Sequence, residues 1–147
     1  MVRRMLLVVT FVAAALGGTV AVLLAANGPP PASVTSGADT SKPFVVKLHA
    51  RWCPYCLLQK DEWAQIETAY AGRVNFVVLD FTSERATERS RQEAERLNLA
   101  PFFENYAGAT GLVVVLDGRT KDVLAEVGGN QDFQEFRTAI DAALASR

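Results

Sequence analysis

The chain has 147 residues, half of them hydrophobic, and its 15 Lys and Arg nearly balance 16 Asp and Glu. That length suits one compact domain with a short appendage. Charges of both signs are intermixed with no basic stripe, which argues against nucleic acid as a partner.

Met5 to Ala26 is an apolar run interrupted only by Thr10, Thr19 and the pair Gly17-Gly18, and it follows Arg3 and Arg4. It has the length of about 20 residues that a bilayer-spanning helix needs, and it exceeds the usual apolar core of a cleavable signal. Residues 1–26 are therefore expected to form a retained transmembrane signal-anchor. The leading arginines leave the N-terminus in the cytoplasm and export the rest. The alternative is cleavage within Leu24-Ala25-Ala26-Asn27-Gly28-Pro29, which would release a secreted domain, although this exit is a poor cleavage site. A third reading, a buried helix of a soluble protein, fits badly with an uncharged run whose composition changes abruptly after Ala26. No cysteine stands near the exit to carry a lipid. Residues 27–41, rich in Pro, Ala, Ser, Thr and Gly and opening on Pro29-Pro30-Pro31, read as a tether. The exported domain is then 42–147.

Phe44-Val45-Val46-Lys47-Leu48-His49 reads as a strand. Directly after it, Trp52-Cys53-Pro54-Tyr55-Cys56 contains both cysteines of the chain. A spacing this tight gains little as a structural cross-link. It suits a dithiol that opens and closes, in which Cys53 attacks a disulfide as thiolate and Cys56 displaces the mixed disulfide. Cys53 can cap a helix that has Pro54 at its first position. There the unpaired N–H groups and the dipole stabilise a thiolate and lower a cysteine pKa from about 8.5 into a range of roughly 3.5–7.5. The helix is expected to run on through Leu57, Leu58, Trp63, Ile66 and Tyr70 and to stop at Gly72.

Val74 to Asp80 is a second strand, apolar enough to suggest a central place in a sheet covered on both faces. Thr82 or Ser83 caps a helix over Glu84 to Arg96 with a thin apolar face of Ala86, Ala94 and Leu97. Its charges, spaced as in Arg89/Glu93 and Arg91/Glu95, read as a solvated surface, with a docking surface as the alternative. Pro101-Phe102-Phe103 and Tyr106 form either a lip beside the cysteines or the core of a short extra helix. Leu112 to Leu116, a tight turn at Asp117-Gly118 and a strand over Asp122 to Val127 make a hairpin. Gly128-Gly129 breaks the chain, and Asn130 caps a last helix with Phe133, Phe136, Ile140 and Leu144 on one face.

This β-α-β-α-β-β-α order, with the cysteine pair at the first strand-to-helix junction, resembles the thioredoxin family over about residues 42–145. The resemblance implies an α/β thioredoxin-like fold, with a central mixed four-stranded sheet flanked by helices, following the N-terminal transmembrane helix. Trp52 matches the tryptophan that thioredoxins place before the first cysteine, and Pro54-Tyr55 is the pair typical of glutaredoxins. The implied activity is thiol–disulfide exchange, with Cys53 as nucleophile and Cys56 as resolving thiol. Trp52, Pro54 and Tyr55 would shape the site and touch the client. No cofactor and no resident metal are expected.

Two positions depart from the family. Lys47 stands where thioredoxins carry a buried acid that assists proton transfer, so it either favours thiolate or snorkels to the surface. Thr110 stands in the place of the family's cis-proline. A cis bond there costs about 2.5–4 kcal/mol without proline, so Gly111 is expected to supply backbone freedom while Thr110 faces the cysteines.

The leading functional expectation is a membrane-anchored, periplasmic reductant of protein disulfides, of the sort that serves cytochrome c maturation, fed by a membrane electron donor. Alternatives are a disulfide-forming oxidant, glutathione chemistry suggested by Pro54-Tyr55, and a non-catalytic adaptor. A further alternative is a metal or cluster site using Cys53, Cys56 and His49, which falls short of the four ligands of a closed zinc site unless two copies share it. Haem attachment is excluded because Leu57, not histidine, follows Cys56.

Overall fold

The computed structural model describes residues 38–128 and 132–146. The apolar run, most of the tether and Asn130 lie outside the described residues. Among the described residues no helix is long and apolar enough to cross a membrane.

In chain order the described elements are β1 (Phe44–His49), α1 (Pro54–Leu58), α2 (Lys60–Ala69), β2 (Asn75–Asp80), α3 (Glu84–Arg96), α4 (Ala100–Tyr106), β3 (Leu112–Leu116), β4 (Val123–Gly128) and α5 (Phe133–Ala145). The four strands form one mixed sheet in the order β2-β1-β3-β4. β1 runs parallel to β2 and antiparallel to β3, and β3 pairs antiparallel with β4. A parallel pair needs a crossover, and α1 with α2 provides it.

Strand alternation divides the sheet's residues between two cores. Phe44, Val46 and Leu48 of β1 pack with Leu79, Leu97, Leu99, Phe102, Phe103 and Leu116. Val45 faces the other way, with Trp63, Ile66, Tyr70, Val113, Val115, Phe136 and Ile140. α3 and α4 therefore cover one face, and α2 and α5 cover the other. Phe102 and Phe103 belong to the core beneath the short helix α4, so of the two alternatives the extra helix is the one that forms. Tyr106 stacks on Phe102 and donates its hydroxyl to Glu126.

Several expectations need correction. β2 lies at the sheet edge and is not central; Val77 and Leu79 are buried while Phe76, Val78 and Asp80 are half-buried. Apolar composition reflected the helices over its faces and carried no information about its missing neighbour. The hairpin turn is longer than Asp117-Gly118, and β4 begins at Val123. Asp117 accepts from the N–H groups of Arg119 and Thr120 at 2.7 and 2.8 Å, an Asx-type turn. The last helix is capped by Asp132, whose carboxylate accepts from Gln134 and Glu135.

Ser83 caps α3 through the N–H of Ala86. Ser90 joins the helix's buried face, and its hydroxyl accepts from Asp80 N–H at 2.7 Å and donates to Asp80 C=O at 3.1 Å, pinning α3 to the end of β2. The outer face of α3 is laced by Arg91 with Glu88 and Glu95 and by Arg96 with Glu93, all exposed or half-exposed. The expected Arg91/Glu95 pair forms, whereas Glu93 pairs with Arg96 in place of Arg89. Residues 39–42, at the far end of β1 from the cysteines, are tied down by Asn75, whose amide donates to the carbonyls of Asp39 and Lys42 at 2.8 and 3.0 Å.

Candidate active site

The loop from Ala50 to Trp52 carries the chain from β1 into α1. It is held by Arg51 N–H donating to the Thr82 hydroxyl at 2.9 Å, and Thr82 in turn donates to Asp80. Thr82 thus braces the site while Ser83 takes the capping role. Phe81 N–H donates to His49 C=O at 2.7 Å, closing the same junction.

Cys53 is the N-cap of α1 and Pro54 opens the helix. The Cys53 sulfur accepts from Cys56 N–H at 3.4 Å. Both thiols are free and almost fully buried, at 3% and 2% exposure, in a small cluster with Ala50. Cys56 lies one turn in, accepting from Ala50 N–H at 3.5 Å and donating to Leu48 C=O at 3.6 Å.

The two thiols are shifted in opposite directions. Burial pushes Cys53 up, but it is outweighed by the neighbouring Cys56 thiol, the Thr110 hydroxyl and the backbone N–H groups of Cys56 and Tyr55. The outcome is a Cys53 pKa below the ordinary thiol value. Burial also pushes Cys56 up, and there the Cys53 neighbour adds to it, so Cys56 stays a thiol; Ala50 N–H and the Lys47 charge oppose the shift. Thr110 therefore faces the nucleophile as expected. Thr110→Val, which keeps the branched shape and removes the hydroxyl, will raise the Cys53 pKa. Iodoacetamide alkylation at neutral pH will slow several-fold, its rate following the thiolate fraction, and the whole rate-against-pH curve will move to higher pH.

Gly111 supplies the freedom expected of it, at φ +88. Its N–H donates to Leu48 C=O at 2.9 Å, which docks the Thr110-Gly111 loop on the end of β1. From the helical side, Gln59 Nε2 donates to Gly111 C=O at 3.0 Å. Gln59 is also where the expected single helix breaks into α1 and α2. Its side chain turns inward to the loop and is 2% exposed.

Two leucines lie between the inward-turned Cys56 and Gln59. Leu57 and Leu58, expected within the helix, lie on its outer side and are 63% and 58% exposed. They join Trp52 and Tyr55, at 62% and 50%, as the large exposed hydrophobic side chains around Cys53. Sequence reasoning missed the leucines. The signal was available: after Cys56 turns inward, two adjacent leucines on one short turn cannot both follow it.

Lys47 does not snorkel. It is 5% exposed, with its ammonium 5.0 Å from the centre of the Trp63 ring. His49 is half-buried, and its pKa is lowered by burial and by the Lys47 charge. Among the described residues no group of three or more His, Cys, Asp or Glu is placed to hold a metal, so His49 does not join the cysteines as a third ligand.

A mixed sheet between helices, with a dithiol at the first strand-to-helix junction, defines a thiol–disulfide oxidoreductase of the α/β class. The thioredoxin family's sequence profile matches residues 34–126, and the chain belongs to that family. No curated protein sequence matches it. Solved structures similar to it include a thioredoxin-family thiol:disulfide interchange protein from Chlorobium tepidum TLS (19% identity, 71% of this chain and 81% of that one, TM-score 0.48). Another is MTB DsbF in its mixed oxidized and reduced forms (17% identity, 70% and 81%, TM-score 0.48). A third is a malarial protein (19% identity, 70% and 98%, TM-score 0.46).

Proposed function

We propose that this chain reduces protein disulfides outside the cytoplasm while held at a membrane by residues 1–26, with 27–41 as tether and 42–147 as the working domain. The observation that carries the exchange chemistry is the asymmetry of the pair at the start of α1: Cys53 caps the helix and is lowered, and Cys56 lies one turn in and is raised. Cys53 is thus the more readily ionised of the two thiols and Cys56 the one held in reserve. Cys53 attacks one sulfur of a client disulfide, the client S–S bond breaks, and one client thiolate departs. Cys56 then attacks Cys53, releases the second client sulfur and closes the internal disulfide. Two electrons pass to the client, and a donor in the membrane restores the dithiol.

Trp52, Tyr55, Leu57 and Leu58 offer an unfolded client segment an apolar rim beside the nucleophile. Arg3, Arg4 and the uncharged run after them support the anchored, periplasmic placement. The haem-binding thiols of an apocytochrome are one client class that such a reductant serves.

The test is disulfide reduction in insulin by the reduced, metal-free chain, with Cys53→Ser as control. Turnover that disappears in the variant supports the reading. No thiol-dependent turnover in the parent chain would sink it.

A further inference from the structure

A cation lies behind the thiols. Alternation along β1 turns Lys47 toward the face covered by α2 and α5, and its sheet neighbours are Val78 on β2 and Val113 on β3. Burying an ammonium this deeply is costly unless something compensates it. Among the described residues Lys47 joins no salt bridge. The Trp63 ring supplies one partial compensation through its π face. The groups that act on the ammonium electrostatically are Cys56 and Cys53 from α1, Glu67 and Glu62 from α2, and His49 from its own strand. Burial lowers the Lys47 pKa below its ordinary value, and Cys56 is foremost among the groups that oppose that shift, followed by Glu67, Cys53 and Glu62.

Cys56 is the partner that needs such a charge. Its sulfur sits between Leu48 C=O, next to Lys47 on β1, and Ala50 N–H, just past the strand's end. It must ionise in a buried setting, beside a Cys53 sulfur, before it can attack.

We propose that Lys47 is a positioning residue for the release step, its buried ammonium stabilising the Cys56 thiolate as that thiolate attacks the mixed disulfide. The inference rests on the reading that Cys56 resolves. In the step, the bond between Cys53 Sγ and the client sulfur breaks and the Cys53–Cys56 bond forms. The proton lost by Cys56 passes to solvent, and the departing client thiolate takes one up. Lys47 keeps its own proton throughout and lowers the cost of the charge on sulfur.

The experiment uses the full chain in detergent and 5,5′-dithiobis(2-nitrobenzoate), followed by stopped-flow absorbance. Attack by Cys53 releases the first thionitrobenzoate, and resolution by Cys56 releases the second. Lys47→Met keeps the length and apolar stem, so the core it enters should accept it. At pH 7 it is expected to slow the second phase about tenfold and to move that phase's pH profile upward. The first phase should change less than about threefold, because Cys53 has its own hydrogen bonds. Lys47→Arg, which keeps the charge, is expected to stay near the parent profile. If Lys47→Met does not fold, Lys47→Gln is read in the same way. An unshifted second-phase pH profile in the uncharged variant overturns the role of Lys47. A parent chain with no second phase at all overturns the proposed function instead.

Discussion

Serine at position 53 will abolish disulfide reduction, lowering the rate by roughly three orders of magnitude or more, because a serine hydroxyl at its ordinary pKa is not a nucleophile toward sulfur. Serine at position 56 will give a different result. Attack will continue, but the reaction will stop at a mixed disulfide on Cys53 that mass spectrometry detects as a covalent adduct. The difference follows from the geometry. Cys53 keeps its helix N-terminus, the Thr110 hydroxyl and the Tyr55 N–H when the Cys56 thiol is gone. If both serine variants lose the adduct equally, the division of labour between the two thiols is wrong.

A side chain at Gly111 will be nearly as damaging. An added Cβ would lie 2.9 Å from Tyr55 Cβ and 3.3 Å from Cys53 Sγ, and the backbone is at φ +88. Left-handed backbone alone costs an L-residue roughly 1–2 kcal/mol. Relief of the contact must then move either α1 or the Thr110-Gly111 loop, which are joined through Gln59 and Leu48. Gly111→Ala is expected to lose about 1–3 kcal/mol of stability in urea unfolding. The rate of attack by Cys53 should fall about 10- to 100-fold, since small displacements of a reacting atom carry penalties of that order. Near-parental rate and stability in Gly111→Ala would contradict the close approach of this loop to the nucleophile.

What could be read from the sequence was chiefly local. The strand, the turn and the capped helix around Trp52 to Cys56 follow from neighbouring residues, and so does the cysteine placement at a helix N-terminus. Thr110 could be found by counting back from the hairpin turn, because short elements leave little slack in register. Nonlocal features were harder. β2 carries the composition of a buried strand, yet sheet order depends on which strand pairs beside it. The break at Gln59 has no glycine or proline to mark it; its inward-turned amide makes sense only with Gly111 52 positions away. The exposure of Leu57 and Leu58 follows from the inward turn of Cys56 and Gln59 on either side of them. Lys47 was visible as an anomaly, but only the packing of Trp63 and the α2 acids distinguishes a buried charge from a snorkelling one.

The measurement that bears most directly on the central claim is the reduction potential of the Cys53/Cys56 pair in the full chain. It is read by equilibration against glutathione buffers and mass analysis of the alkylated thiols. A reversible two-electron couple between about −270 and −120 mV, toward the negative end, is the predicted result for a pair that donates electrons to client disulfides. A disulfide that stays closed below about −300 mV would mark a structural bond. Either that result or a pair that never closes would contradict a redox cycle at this site.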